Sequence, residues 1–342
     1  LTIFLAALHR QLGDEFAQLA WCTWGGVMGA EVLASAGVSA RVLGEPAAQT
    51  SAQDTRCAVE TLCTSQIDLL IFVGGDGTAR DVLAAIDDHT CALGLPAGVK
   101  MHSGVFAISP NAAADVVAGL AQGSLVGRIE REVRDYVPAS NDTPTARHQV
   151  VATKRYGELW VPEAGGYLQQ MKVGGKEDEG LVVQEIVSYF LDNPELYADK
   201  AMVIGPGSTC LAIKQALGLN GTLLGCDVML PGGEAIENAT SAQLQRIAEQ
   251  QPTHVLVSFT RHQGFLLGRG NQQLGPGVLH ALSWDRDVTV IGSRTKLATL
   301  EQRPLLVDTG DAILDQQLSG LVSVLTGYDD FLLYRVANTL LP

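Results

Sequence analysis

The stretch Asp68-Leu-Leu-Ile-Phe-Val-Gly-Gly-Asp-Gly-Thr78 decides how this chain folds. Its first half is a continuous apolar run, the pattern of a parallel strand buried on both faces. The run stops at Gly74-Gly75, and residues 79–87 then place Val82, Leu83 and Ile86 on one helical face. Glycines let a chain turn abruptly and bring backbone N–H groups close to a ligand. A helix N-terminus aimed at the same place favours phosphate. Gly74, Gly75, Gly77 and Thr78 therefore form a candidate phosphate and nucleotide loop. An acidic residue inside such a loop is otherwise unfavourable. Asp76 makes sense there as a metal-linked carboxylate or as the acceptor of a proton from an attacking hydroxyl. The plainer alternative is a tight strand-to-helix turn with Thr78 as its cap.

Outward from this loop the alternation continues. Residues 91–95 read as a second strand closed by Pro96-Ala-Gly98, and Pro110 opens a helix over about residues 112–122. Strand, helix, strand and helix at this pace predict a doubly wound, Rossmann-like sheet for residues 1–125. From residue 126 apolar and charged residues alternate, as in antiparallel sheet with one face in water. Alternation of strands and helices returns after residue 200, where strand 201–204 delivers Gly205-Pro-Gly-Ser-Thr209 to another helix. Ser208 and Thr209 can offer hydroxyl and backbone donors to a phosphate there, with Gly205 and Gly207 shaping the turn. The expected fold class is thus α/β in two domains. A second, mixed β and α/β domain spans residues 126–325, and a C-terminal segment, 326–342, returns to the first domain. Two phosphate-type loops on two domains imply a ligand held between them.

Composition bounds the partners. The 342 residues are 46% hydrophobic, enough for sizeable cores, so disorder is excluded as the main state. The net charge of −14 argues against nucleic acid and anionic membranes, which both need a positive field. It leaves room for a small phosphorylated ligand in a local nest of N–H groups. No apolar run approaches the ~20 residues of a membrane span. Residues 1–8 are apolar but lack a basic flank and cleavage site, and read as the edge of a folded element. Six cysteines without C-x-x-C spacing point to reduced thiols in a cytoplasmic protein.

The five residues 74–78, followed by GLPAGVKMHSGVFAISP (94–110), LLGRGNQQLGP (266–276) and RPLLVDTGD (303–311), resemble the ATP–NAD kinase/AcoX-like branch of the NAD kinase and diacylglycerol kinase superfamily. The resemblance runs from about residue 20 to the C-terminus. It implies transfer of the γ-phosphoryl of ATP, with Mg2+, to a hydroxyl, most simply the 2′-hydroxyl of NAD to give NADP. It makes Asp76 the catalytic carboxylate and sets Gly98, in a second glycine loop, against the same ligand. Gly205–Thr209 is similar to the family's Gly-Ser-Thr motif. Lys100 is a candidate for neutralising the transferring group. His102 and Arg80 are weaker candidates, and Arg80 could instead pair with Asp81. Arg269 and Asn271 in the later glycine-rich loop could read a purine, ribose or amide. Asp308 and Asp311 could reach the metal, or simply form a turn. Between residues 126 and 200 the only Asn-acidic pair is Asn141-Asp142, which sits in a turn cluster before Pro144 and is not counted as the counterpart of the family's pair. Its second domain is a β-sandwich, whereas this one reads as mixed α/β. Two alternatives stay open: a kinase for another hydroxyl, such as a sugar phosphate or polyol, and a nucleotide-binding regulator without catalysis. Small-molecule nucleotides are the expected partners, and a homo-oligomer is left open.

Overall fold

A computed structural model describes residues 1–97, 101–136, 153–163 and 179–338. The chain divides into two compact units: Leu1–Ala121 with Arg128–Ala164, and Gln122–Gly127 with Gly165–Pro342.

The first unit runs α1 (Thr2–Leu12), β1 (Cys22–Thr23), α2 (Ala30–Ser35), β2 (Arg41–Val42), α3 (Ala52–Cys63), β3 (Leu70–Gly74), α4 (Asp76–Leu83), β4 (Ala92–Pro96) and α5 (Pro110–Ala121). It ends in the paired strands β5 (Val126–Tyr136) and β6 (Thr153–Glu163), although the first two residues of β5 group with the second unit. β3 and β4 pair in parallel from Leu70↔Ala92 to Gly74↔Pro96, and β1 and β2 form a separate parallel pair. The helices close over these strands because their apolar stripes demand it. Phe4, Leu8 and Leu12 of α1 are buried, as are Ala113, Val117 and Leu120 of α5, and these two helices pack together. α3 starts with a reciprocal capping box between Ser51 and Asp54 and lies against α4.

The second unit runs α6 (Glu179–Asp192), β7 (Ala201–Ile204), α7 (Ser208–Ala216), β8 (Asp227–Met229), β9 (Ala235–Ile236), α8 (Ser241–Gln250), β10 (Thr253–Ser258) and β11 (Phe265–Leu267). It continues through α9 (Pro276–Leu279), α10 (Trp284–Asp287), β12 (Val288–Ile291), α11 (Arg294–Ala298), β13 (Leu305–Val307), α12 (Ala312–Gln317), β14 (Gly320–Gly327) and β15 (Asp330–Asn338). Its sheet has the order β11-β13-β15-β14-β12-β10-β7-β8-β9. The run β7, β10, β12, β14 is parallel throughout. Both faces are covered. Ala201 and Val203 join one core with Leu244, Val278, Leu297 and Leu314, while Met202 and Ile204 join another with Ile186, Phe190 and Ile213. That two-sided burial is why β7 is apolar at every position.

Both units are α/β, and the more extensive doubly wound sheet is the second one. Two expected boundaries differ from the observed division. Most of the β5–β6 pair groups with the first unit rather than starting the second. Residues 330–338 group with the second unit. β15 turns back on β14 through Asp329, in left-handed backbone (φ 51°), and inserts between β14 and β13. Leu332, Tyr334 and Val336 are buried in the second unit's core, and that burial fixes the strand there. β8 is short, because only Asp227–Met229 pairs with β7.

Candidate functional site

β3 delivers the first glycine loop, and the glycines in it have different reasons to be there. A Cβ on Gly74 would stand 2.3 Å from the Thr78 hydroxyl, so Gly74 lets Thr78 fold back over the strand end. A Cβ on Gly75 would meet nothing within 4 Å, and one on Gly77 only Asp135 Oδ2 at 4.0 Å. These two glycines leave open space rather than fill a packing gap. Gly75 is the N-cap of α4 and no side chain caps the helix. The first intrahelical bond of the loop is Ala79 N–H to Gly75 O, 3.0 Å. The N–H groups of the opening turn thus face outward, where an anion is favoured.

Asp76 is the first residue of α4 and only 7% exposed. The backbone N–H of His102 donates to its Oδ2 at 2.8 Å and that of Ser103 to its Oδ1 at 3.0 Å. Ser103 is itself clamped to β5, donating its hydroxyl to Arg134 O and accepting from Arg134 N–H. The carboxylate is therefore oriented from both sides by a rigid segment. The sequence reading did not foresee these backbone donors; His102 contributes its N–H here, and its side chain is exposed. Gly98, Lys100, Asn141 and Asp142 lie outside the described residues.

The second glycine loop follows β7. A Cβ on Gly205 would come within 3.1 Å of Leu256 O, a close approach to β10. Gly207 has φ 113°, a conformation reserved for glycine, and open space around it. It caps α7, again without a side-chain cap. Ser208 is exposed and Thr209 is 8% exposed; neither hydroxyl has a hydrogen-bond partner among the described residues. Behind the loop, Lys214 of α7 is fully buried. Its Nζ donates to Thr222 O and Gly225 O at 2.8 Å each and to Asp227 Oδ2 at 2.7 Å. Burial works against charge on Asp227. The N–H of Asn238, the Lys214 ammonium and the N–H of Thr222 outweigh it and hold the carboxyl below its ordinary range.

Comparison with known families fits this pair of loops. The ATP-NAD kinase N-terminal domain model matches residues 10–125, and the ATP-NAD kinase C-terminal domain model matches residues 198–336. The chain belongs to the ATP-NAD kinase family. It is accordingly a kinase-type phosphotransferase. No curated protein and no solved structure gives a match.

In this ATP-NAD kinase family member several expected ligand residues turn out to be structural. Asn271 is 3% exposed; its amide donates to Leu266 O at 2.8 Å and accepts from Gly268 N–H at 3.0 Å. Both ends are used to close its own turn, so it does not read a nucleotide. Arg269 is exposed and stacks 4.5 Å over the Phe265 ring. Arg80 pairs with Asp135 at 3.0 Å and Asp81 with Arg56 at 2.9 Å, so the local Arg80–Asp81 pair is replaced by two longer-range ones. Asp311 caps α12, accepting from Ile313 and Leu314 N–H, and takes His280 Nε2 at 3.2 Å. Its carboxylate thus has a structural role as a helix cap. All six cysteines are free thiols. No described helix is long and apolar enough to cross a membrane.

Among the described residues no group of three or more His, Cys, Asp or Glu side chains could hold a metal by itself. Mg2+ in kinase sites uses one or two carboxylates plus substrate phosphates. One ordered carboxylate beside an uncapped helix end fits a cation that arrives on the nucleotide.

Proposed function

We propose that this protein transfers the γ-phosphoryl group of ATP to the 2′-hydroxyl of NAD, forming NADP. The observation that carries this reading is the Asp76 carboxylate. It is fixed by two backbone N–H groups at the open N-terminus of α4, with unfilled space at Gly75 and Gly77. A carboxylate can accept about four hydrogen bonds, and two are used here. The remaining lone pairs can take the proton of a ribose hydroxyl as it attacks phosphorus. Positioning of that hydroxyl, with charge stabilisation around the phosphoryl group, is most of what such a transfer requires. The N–H groups of α4 and the loop at Gly75, Gly77 and Thr78 would face phosphate or ribose oxygens. The loop at Gly205, Gly207, Ser208 and Thr209 would hold a further phosphate. Mg2+, held by nucleotide phosphates and Asp76, would supply charge neutralisation that an acidic protein lacks. Lys100 would add to it.

The second loop also supports a different acceptor. It lies at the carboxyl ends of parallel strands, where open α/β sheets bind ligands, and suits a sugar phosphate as well as a nucleotide. The test is incubation with Mg-ATP and either NAD or ribose 5-phosphate, reading NADP through a coupled dehydrogenase and ADP release in parallel. NADP formation at the rate of ADP release supports the proposal. ADP release only with the sugar phosphate transfers it to the second acceptor, and binding of NAD without any ADP release overturns catalysis.

A further inference from the structure

At the carboxyl edge of the second unit's parallel strands sits a cation that the family reading does not use. Lys296 lies on the first turn of α11, just after β12. Its Nζ donates to Ser258 Oγ at 2.8 Å, at the end of β10, and lies 4.6 Å over the Phe259 ring. Ser258 in turn donates to Ile291 O at the end of β12. No carboxylate lies within ion-pair distance of this ammonium among the described residues. Glu179, a described acidic group that acts on it, is engaged by Arg261. The second glycine loop adjoins the same edge. Ile204 pairs with Leu256, Gly205 N–H bonds Leu256 O at 2.8 Å, and Cys210 of α7 lies next to Ser258 and Lys296. A partly buried cation without a carboxylate, near the unpartnered hydroxyl of Thr209, a residue only 8% exposed, is an arrangement missing its anion.

We infer that Lys296, Ser258, Ser208 and Thr209 form a binding site for a phosphate ester or pyrophosphate group wholly within the second unit, with Lys296 supplying its charge. This rests on the reading of residues 205–209 as a phosphate seat, and it names the cation that reading lacked. Ser258 and Phe259 orient the ammonium without neutralising it. The ligand's phosphate oxygens accept from the ammonium, from the Ser208 and Thr209 hydroxyls and from the N–H groups opening α7.

The site has a pH signature. Burial pushes the Lys296 amine down to about 8, with Arg261 adding to the fall and Glu179 opposing it. Cys210 is itself pushed up to about 11, so it stays a neutral thiol through the working range. Anion affinity therefore falls as pH rises through about 8.

The experiment is calorimetric titration of the full chain with inorganic pyrophosphate, ATP and ribose 5-phosphate, for the wild type, Lys296→Met and Lys296→Arg. Thermal unfolding of each variant verifies that it is folded. Lys296→Met should weaken pyrophosphate binding about tenfold to a hundredfold, the loss of one charged hydrogen bond. Lys296→Arg should retain binding and lose the fall above pH 8, because guanidinium does not titrate there. Comparing the two at each pH removes the ligand's own ionisation. A matching loss for ATP assigns the site to a nucleotide, and a matching loss for ribose 5-phosphate assigns it to a sugar phosphate. Pyrophosphate affinity unchanged in a folded Lys296→Met variant, or no pyrophosphate binding by the wild type, overturns the inference. NADP formation with unchanged pyrophosphate affinity would sink this site and leave the kinase reading standing. Lys296-dependent binding without NADP formation would do the reverse.

Discussion

The two glycine loops solve the same local problem with opposite chemistry. Each ends a parallel strand, buried at every position in β7 but exposed at Val73 in β3, where the sequence pattern predicts burial on both faces; each opens an uncapped helix through a glycine N-cap, and each leaves space where a Cβ would meet nothing. At the first, the helix opens on a carboxylate, Asp76, tied down by the N–H groups of residues 102 and 103. At the second, it opens on two hydroxyls with a buried lysine behind and a partly buried lysine alongside. The difference teaches that a glycine turn fixes only where backbone donors point. The side chain at the first helical positions decides which group the loop presents, a carboxylate at the first and hydroxyls at the second. A carboxylate at a phosphate loop is costly unless it serves the chemistry, and hydroxyls are not.

The comparison breaks first at Asp76. Asp76→Asn removes the charge and leaves an amide facing two N–H donors. Turnover in the coupled NADP assay should fall about 10²–10⁴-fold, the range for loss of a general base. A loss below tenfold in a folded variant would make the first loop merely another anion seat, no different in kind from the second. The next largest effect lies behind the second loop. Lys214→Met strands the buried Asp227 charge and should cost about 3–5 kcal/mol in urea unfolding. A change under about 1 kcal/mol would mean that this pair does not brace α7 and the segment that follows it. The smallest effect separates the glycines themselves. Gly207→Ala forces a Cβ into φ 113° and should destabilise by about 1–3 kcal/mol. Gly75→Ala, with φ −125° and open surroundings, should cost less, about 0.5–1 kcal/mol, the N-cap preference for Gly over Ala. Its effect belongs in the KM for the nucleotide. Equal stability losses at the two positions would erase the distinction between a backbone requirement and a ligand requirement.

Much of this was written locally. The apolar run before Gly74 and the stripe after Thr78 identify strand, turn and helix within a dozen residues, and the same holds around Gly205–Thr209. Local patterns misled where one residue type serves two purposes. Asn271 looks the same in sequence whether its amide faces a ligand or closes its own turn. Asp311 looks the same as a metal ligand or a helix cap.

By itself the sequence determined the alternation of strands and helices, the position of both glycine loops and the presence of Asp76 in the first of them. Each depends on spacing along a few turns of chain, where side-chain period and glycine freedom act directly. Only the tertiary structure decided which groups meet those loops. Ser103 reaches Asp76 across 27 residues, and Lys296 reaches Ser258 across 38. Such pairs exist only because β10 and β12 pair in parallel, with Ser258 opposite Ile291, and because β3 and β4 pair in parallel, with Gly74 opposite Pro96. Strand register is set by how whole faces bury, so no window of sequence around either partner contains it.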